Sequence, residues 1–192
     1  SLAFEDFIDA YRQEYLNEKI IRKQKQQAVS EQVVELENYR LKPNKMQVAF
    51  VKNVMEMRAQ HIDRALLLSS TGTGKSLASA FMLREMGTKR ALFVVHREQI
   101  AKQTMKSYKR VFGSSRTYGL LSGNSREFGS DFLFATMQML SKEDILSHYS
   151  PEDFDVIILD ECHHVGAESY QKIMRYFKPK FWLGMTASPD TN

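Results

Sequence analysis

Apolar residues along this chain occur in short continuous runs, and polar or mixed stretches separate these runs. Six runs predict strands, at 65–68, 91–95, 117–121, 131–136, 156–159 and 181–186. Uninterrupted apolar runs are typical of strands buried on both faces, as in parallel sheets. The stretches between them have helical spacing, so we predict the α/β class, with an open, mostly parallel sheet and helices on both faces.

The predicted helices follow from apolar residues at helical spacing. Val48, Val51 and Val54 give one face to a helix that starts near Pro43, because proline is favoured in the first helical turn. Another helix is predicted to start near Lys75. Further predictions are the helices 98–112 and 166–177, and a short helix with a loop at 139–153.

Residues 1–40 form a separate part of the chain in this interpretation. Phe4, Phe7 and Tyr11 recur at helical spacing, and no glycine or proline precedes Pro43. We therefore predict a helical extension or connector at 1–40, without visible chemistry, and one globular domain at 41–192. Because the chain neither begins with methionine nor ends in a recognisable tail, it is interpreted as a piece of a longer protein.

The composition excludes several classes of protein. With 43% apolar and 26% charged residues, the chain has the balance of a globular protein in water. No apolar run reaches the roughly 18 residues of a membrane span, and the acidic start lacks the features of a secretory signal. The single cysteine, Cys162, excludes an internal disulfide. These features favour a reducing cytoplasm as the location.

The net charge of +4 is unevenly distributed. Residues 1–40 have six basic and eight acidic residues, hence −2, and the remaining 21 basic and 15 acidic residues give +6. Ten basic residues lie within 84–126, where only Glu85 and Glu98 are acidic. Such an excess attracts a polyanion such as nucleic acid, but the same residues would also serve as the solvated face of a helix.

A glycine-rich stretch lies between the first predicted strand and the helix after it. Residues 69–76 read Ser-Ser-Thr-Gly-Thr-Gly-Lys-Ser, and strand, glycine-rich turn and helix are the context of a phosphate-binding loop. Gly72 and Gly74 let backbone N–H groups point at an anion. Lys75 would contact the β- and γ-phosphates, and the hydroxyl of Ser76 would bind Mg²⁺. The strict sequence pattern of a phosphate-binding loop begins with glycine, whereas this chain has Ser69 at that position.

Two adjacent carboxylates end the fifth apolar run. Asp160 would hold the Mg²⁺ that Ser76 also binds, and Glu161 would orient and deprotonate the attacking water. An Asp-Glu pair is common on protein surfaces, but its combination with Lys75 favours nucleotide hydrolysis. Zinc is disfavoured, because Cys162 and the two histidines after it are too few ligands and no second cluster exists.

These stretches, in this order and at these separations, resemble motifs of superfamily II helicases of the DExH branch. Motifs I, II and III would be 70–76, 160–163 and 184–189. Motif Ia, the Thr-x-Gln element and the Q motif of the type I and type III restriction-enzyme translocase group are similar to 95–103, 134–138 and 43–47. The resemblance covers about 41–189 and implies the first RecA-like domain of a P-loop NTPase.

The resemblance implies ATP and Mg²⁺ as cofactors and assigns the residues that would bind them. Gln47 would recognise adenine, and Ser76 with Asp160 would hold Mg²⁺. Lys75, Glu161 and His163 would be catalytic. The phosphates would lie on a loop of Ser70, Thr71, Gly72, Thr73, Gly74, Lys75 and Ser76.

The resemblance also implies residues that couple the nucleotide to nucleic acid. His163 would link the nucleotide site to Thr186 and Ser188, which would couple ATP state to the grip on nucleic acid. Ser188 stands where many relatives have threonine, which keeps the hydroxyl, and Cys162 occupies a position of motif II that the family varies. The nucleic-acid backbone would contact Arg97, Gly123 and Thr136.

The function implied by the resemblance is the N-terminal motor domain of an ATP-dependent DNA helicase or translocase. The family uses a second RecA-like domain of the same full-length chain, which supplies an arginine finger, and no candidate for it is visible here. We therefore expect this piece to bind nucleotide but to hydrolyse ATP slowly. Alternatives are an RNA helicase, a P-loop kinase or switch protein without nucleic acid, and a non-catalytic scaffold. The segments 95–103 and 134–138 favour DNA.

Overall fold

The computed structural model describes residues 41–69, 72–162 and 167–186, with the backbone alone at 72 and 73. The predicted extension at 1–40 lies outside the described residues. The sheet has seven strands in the part of the chain that is described, in the order β1-β7-β6-β2-β5-β3-β4. They are β1 (Arg64–Leu68), β2 (Ala91–Val95), β3 (Tyr118–Ser122), β4 (Ser125–Arg126), β5 (Phe132–Thr136), β6 (Val156–Asp160) and β7 (Phe181–Thr186).

The strand pairing is parallel except at one edge of the sheet. Five neighbouring pairs are parallel, and only β4 runs antiparallel, to β3. The predicted α/β class with an open, mostly parallel sheet is therefore confirmed. The described helices are α1 (Lys45–Ala59), α2 (Gly72–Met86), α3 (Glu98–Phe112), α4 (Met137–Leu140), α5 (Glu143–Leu146) and α6 (Glu168–Tyr176), with a 3₁₀ turn at Gly113–Ser115.

Helices cover both faces of the sheet, and each face has its own apolar core. Alternate residues of β2 show this division, since Phe93 packs in the cluster with α1, α2 and α3, whereas Leu92 packs in the cluster with α4, α5 and α6. Every residue of β2, β5 and β6 is buried. This burial on both faces explains why these strands read as uninterrupted apolar runs.

Several element boundaries differ from the predicted ones. α1 begins at Lys45, because Asn44 caps it through a hydrogen bond from the Gln47 backbone N–H, and Pro43 lies before the cap. The helix after the glycine-rich loop begins at Gly72 and not near Lys75. Strand β4 was not predicted, since two residues are too few to produce a period. No helix among the described residues is long and apolar enough to cross a membrane.

Candidate nucleotide and nucleic-acid site

The residues predicted to carry chemistry gather at one edge of the sheet. The carboxyl ends of parallel strands meet there, and ligands bind at this edge in open α/β sheets. The glycine-rich loop follows β1, Arg97 follows β2, Thr136 ends β5 and Asp160 ends β6. Because β6 is separated from β1 only by β7, the carboxylates and the loop come close together.

Lys75 links the loop to both carboxylates. Its Nζ lies 3.2 Å from Oδ1 of Asp160 and 3.9 Å from Oε1 of Glu161. The side chains of Lys75 and Asp160 are only 7% and 12% exposed, so the pair is shielded from water. Pairing keeps both charges compensated, which burial requires. Lys75 and Asp160, which are 85 positions apart in the sequence, are therefore in contact, as predicted.

The turn at the end of β6 places Glu161 in an uncommon backbone conformation. Glu161 has φ +55°, in the left-handed region that side chains other than glycine rarely adopt. The Glu161 N–H donates to Oδ1 of Asp160 at 3.0 Å, and the Tyr170 hydroxyl donates to the Asp160 carbonyl at 2.8 Å. These two bonds, with the ion pair to Lys75, hold the strained turn in place.

A buried pair of hydroxyl groups, from Ser79 and Tyr108, connects helix α2 to α3 near the glycine-rich loop. The Ser79 hydroxyl donates to the Ser76 carbonyl at 2.7 Å and is hydrogen-bonded to the Tyr108 hydroxyl at 2.7 Å. Burial raises the pKa of Tyr108 far above its ordinary value, so the phenol stays protonated. The start of α2 is thereby linked to the helix that follows Arg97.

Ser76 and Asp160 fit a magnesium ion that is shared with phosphate groups. Both line one cavity of about 850 Å³ together with Lys75 and Glu161. The described residues hold no group of three or more His, Cys, Asp or Glu that could bind a metal by itself. One hydroxyl and one carboxylate are a suitable donor set for Mg²⁺, which commonly takes its other ligands from waters and substrate phosphates.

Gln47 has a structural role that the sequence did not indicate. Its Oε1 accepts from the Asn44 N–H at 2.9 Å, and its own N–H donates to Oδ1 of Asn44 at 2.8 Å. This reciprocal pair is a capping box at the start of α1. Recognition of adenine through that amide oxygen would have to share it with the cap, and the role remains a prediction.

The three residues predicted to contact nucleic acid differ in exposure. Arg97 and Gly123 are exposed, but Thr136 is only 8% exposed. Thr136 also caps the short helix α4 without a side-chain hydrogen bond. Arg97 and Gly123 are thus open to a partner at the surface, whereas Thr136 is largely buried.

The ten basic residues of 84–126 do not form one surface. Arg84 donates to the Leu41 carbonyl, Arg116 donates to the Thr88 carbonyl, and the Arg90 guanidinium lies over the Phe154 ring. Residues that lie directly before strands β2 and β3 are at the amino-terminal edge of the sheet, opposite the candidate site. The basic residues nearest the carboxyl-terminal edge are Arg97, Lys102 and Arg126.

Strand β7 lies beside the first residue of the glycine-rich loop. Thr186 of β7 pairs with Leu68 of β1, and the Thr186 carbonyl accepts from the Ser69 N–H at 3.1 Å. Ser69, at the start of the glycine-rich stretch, is thus bonded to Thr186, whose coupling role stays a prediction. The predicted residues Ser70, Thr71, His163 and Ser188 and the side chain of Thr73 lie outside what is described.

An open, mostly parallel sheet of this order, with Lys75 after the edge strand β1 beside two carboxylates at the end of β6, has the architecture of a RecA-like domain. The chain belongs to the family of type III restriction enzyme res subunits, which matches residues 40–191. The predicted resemblance to superfamily II helicases is thereby confirmed.

Individual relatives include restriction enzymes and helicases. The chain is 28% identical over 159 residues to the type I restriction enzyme EcoAI endonuclease subunit of Escherichia coli, with 77% of this chain and 19% of that subunit covered. It is 32% identical over 149 residues to the ATP-dependent RNA helicase DHX58 of Mus musculus, with 63% and 22% covered. The chain thus spans about a fifth of the length of these relatives.

Solved structures share the fold at low sequence identity. The type ISP restriction-modification enzyme LlaGI, in complex with a DNA substrate mimic, matches with a TM-score of 0.59 and 20% identity, over 80% of this chain and 18% of that one. The Sulfolobus solfataricus SWI2/SNF2 ATPase core in complex with dsDNA matches with a TM-score of 0.62 and 15% identity, over 82% and 34%.

Some residues of the site carried no signal in the sequence. Tyr170 and Ser79 have no motif of their own, and their contacts depend on helices that meet only in the folded domain.

Gly184 was predicted only as part of motif III, without a structural reason for the glycine. A Cβ atom at Gly184 would lie 3.1 Å from Sγ of Cys162 and 3.4 Å from Cδ1 of Leu66. The glycine therefore lets β7 pass close beneath the turn that carries the carboxylates.

Replacement of Gly184 by alanine should lower the free energy of unfolding by about 1–3 kcal/mol, the usual cost of overpacking. The added methyl group would press on Cys162, two residues after Asp160, and shift the carboxylate turn. Chemical denaturation measures this loss. The double variant Gly184→Ala/Cys162→Ala should recover part of it, because it removes the thiol but keeps the Cβ of residue 162, which lies 3.3 Å from the added methyl group. Equal losses in the single and double variants would contradict the proposed clash.

Proposed function

We propose that this chain is the ATP-binding first motor domain of a DNA helicase or translocase, which couples ATP hydrolysis to movement along nucleic acid. The observation that carries the proposal is the buried contact of Lys75 with Asp160, with the more exposed Glu161 at 3.9 Å, beside a strand that ends at Thr186. A phosphate-binding lysine, a metal-binding carboxylate and a candidate base then stand at one edge of the sheet.

In this proposal each charged group of the site has a separate task. Lys75 would bind the β- and γ-phosphates, and Ser76 with Asp160 would hold Mg²⁺, which neutralises phosphate charge when bound. Glu161 would accept a proton from the attacking water, since it is the more exposed carboxylate, at 38% of its side chain, and water must reach it. His163 would link the nucleotide site to Thr186 and Ser188, and Gln47 would contact the adenine.

The proposed motor needs a second RecA-like domain in the same full-length protein. Lys75 and Glu161 line an open cavity at the edge of this domain, and Arg97, which follows β2, lines the same cavity. An arginine finger from the second domain would stabilise the charge of the transferred phosphoryl group. The isolated chain should therefore turn over ATP well below about 1 s⁻¹, the low end of ordinary enzymes. A coupled phosphate-release assay that found faster turnover would contradict the requirement for a second domain.

The nucleic acid in this proposal is DNA, and RNA is the second candidate. The family and its type I restriction relative support DNA, whereas the similarity to an ATP-dependent RNA helicase supports RNA. Contacts from Arg97 and Gly123 to a phosphate backbone would not separate the two, because such contacts read no sequence. Affinity for either should fall steeply with salt.

ATPase activity of the full-length protein, with duplex DNA, single-stranded DNA or RNA, tests the proposal. Strong stimulation by DNA and little by RNA is the expected result. Stimulation by RNA alone would assign the domain to RNA helicases. ATP turnover that neither nucleic acid changes would contradict the motor function and favour a P-loop ATPase without a nucleic-acid partner.

A further inference from the structure

Glu98 lies at the centre of a hydrogen-bonded cluster between the start of α3 and the turn after β3. Its Oε1 accepts from the Ser122 hydroxyl at 2.5 Å, and its Oε2 accepts from the Asn124 side-chain amide at 3.0 Å. Lys102, one turn further along α3, lies 4.0 Å from the same carboxylate. The Glu98 carboxylate therefore joins the start of α3 to the turn after β3. Its two partners in that turn are 24 and 26 positions further along the chain.

Both oxygens of the Glu98 carboxylate accept hydrogen bonds from side chains of the turn. Ser122 is fully buried, and its hydroxyl also accepts from the Asn124 backbone N–H at 3.3 Å. The hydrogen bonds from Ser122 and Asn124 hold the pKa of Glu98 below its ordinary value, so the carboxylate is ionised at neutral pH. Its oxygens point at donors of the turn, and Lys102 partly balances its charge.

Gly123, between the two donors, is not required by the fold. Among the described residues, no heavy atom lies within 4 Å of a Cβ placed there, and the backbone is not in the left-handed region. A larger residue would be compatible with the turn itself. The absence of a side chain instead leaves the exposed backbone of the turn open to close approach from outside.

We propose that Glu98 is a positioning residue that fastens the turn 122–124 to the start of α3, so that Gly123 and the adjacent Arg97 meet one nucleic-acid backbone together. The inference rests on the proposed function, because it assigns a role within the nucleic-acid surface. Prearranged donors lose less entropy on binding than a free loop would. Glu98 itself contacts no phosphate in this proposal.

The sign of the effect separates this proposal from simple electrostatics. Removal of a carboxylate from a surface that binds a polyanion should strengthen binding if charge alone matters. If Glu98 holds the turn, its removal should weaken binding, although the surface becomes more positive. The two views therefore predict opposite changes for the same substitution.

The experiment measures binding of the full chain to a fluorescent single strand of about 20 nucleotides, by anisotropy at fixed salt. Glu98→Ala and Asn124→Ala should each weaken binding by about tenfold or more, the lower end of the value of a lost hydrogen bond to a charged group. The double variant should bind no more weakly than Glu98→Ala alone, because that substitution already removes the hydrogen bond to Asn124. Lys109→Ala, near the far end of α3, is the matched control and should change affinity much less.

Two further measurements exclude a general loss of structure. Asn124 is exposed, so Asn124→Ala should keep the melting temperature and the ATP affinity of the parent chain. In the full-length protein, both variants should raise the DNA concentration for half-maximal ATPase stimulation and leave the maximal rate unchanged. A lower maximal rate at unchanged half-maximal DNA would overturn the positioning role.

The outcomes also distinguish this inference from the proposed function. If the parent chain binds the strand and Arg97→Ala weakens it, but Glu98→Ala binds equally or more tightly, the positioning role is wrong and the proposed function stands. If neither the chain nor the full-length protein binds nucleic acid at all, both are wrong. Weaker binding by Glu98→Ala and Asn124→Ala, without additivity, supports both.

Discussion

Replacement of Lys75 by alanine should weaken ATP binding by about 10- to 100-fold, the cost of losing a hydrogen bond between charged groups. The reason is the position of its Nζ, which faces both carboxylates inside the cavity where the phosphates would lie. Titration of the chain with a fluorescent ATP analogue measures the change. In the full-length protein, the same variant should lose DNA-stimulated ATP hydrolysis.

The Lys75→Ala variant should also have a lower free energy of unfolding, so a second variant is needed to separate ATP binding from stability. Removal of one partner from a buried ion pair typically costs about 3–5 kcal/mol, because the other charge remains uncompensated. The double variant Lys75→Ala/Asp160→Asn removes both charges and should regain most of the free energy of unfolding without regaining ATP affinity. If the double variant bound ATP as well as the parent chain, Lys75 would not be the phosphate-binding lysine.

Replacement of Glu161 by glutamine should lower ATP hydrolysis by the full-length protein about 10²- to 10⁴-fold, the usual contribution of a general base. The amide keeps the size of the side chain but cannot take a proton from water. ATP affinity should change little, because Lys75 makes its shorter contact with Asp160. Single-turnover kinetics with DNA present separates hydrolysis from binding. Unchanged hydrolysis would remove Glu161 from the proposed catalytic group.

Glycine at position 161 provides a second test with a different readout. The parent residue holds φ +55°, and this conformation costs a side-chain-bearing residue about 1–2 kcal/mol. Glu161→Gly should therefore unfold at equal or slightly higher denaturant concentration than Glu161→Gln, although both variants should hydrolyse ATP much more slowly than the parent. A glycine variant that is clearly less stable than the glutamine variant would mean that the turn carries no strain.

The strands, the helices and the order of the chemical groups were determined by the sequence to a large extent. Continuous apolar runs marked the buried strands, since burial on both faces leaves no polar position along them. Helix α3 occupies the predicted range 98–112, because its apolar and polar residues separate clearly at helical spacing. The short strand β4 was missed, since two residues have no detectable period.

The sequence also predicted that the residues of the candidate nucleotide site lie close together, but not how they are held. Lys75, Asp160 and Glu161 were predicted together from a loop pattern and a strand end, because the carboxyl ends of parallel strands share one edge. The capping role of Gln47 and the limited exposure of Thr136 were not predicted. Both depend on local backbone geometry, which a motif does not contain.

Tertiary structure alone decided the contacts that connect distant elements. The Glu98 cluster joins α3 to the turn after β3, and Tyr170 reaches the carbonyl of Asp160 from α6. Likewise, the division of the basic residues between two edges of the sheet follows from strand direction and not from their number. Sequence determines which stretches favour a helix or a strand and which positions carry a charge. Three-dimensional packing determines which of them meet, because hydrogen bonds and ion pairs require distances of a few ångströms that no spacing along the chain specifies.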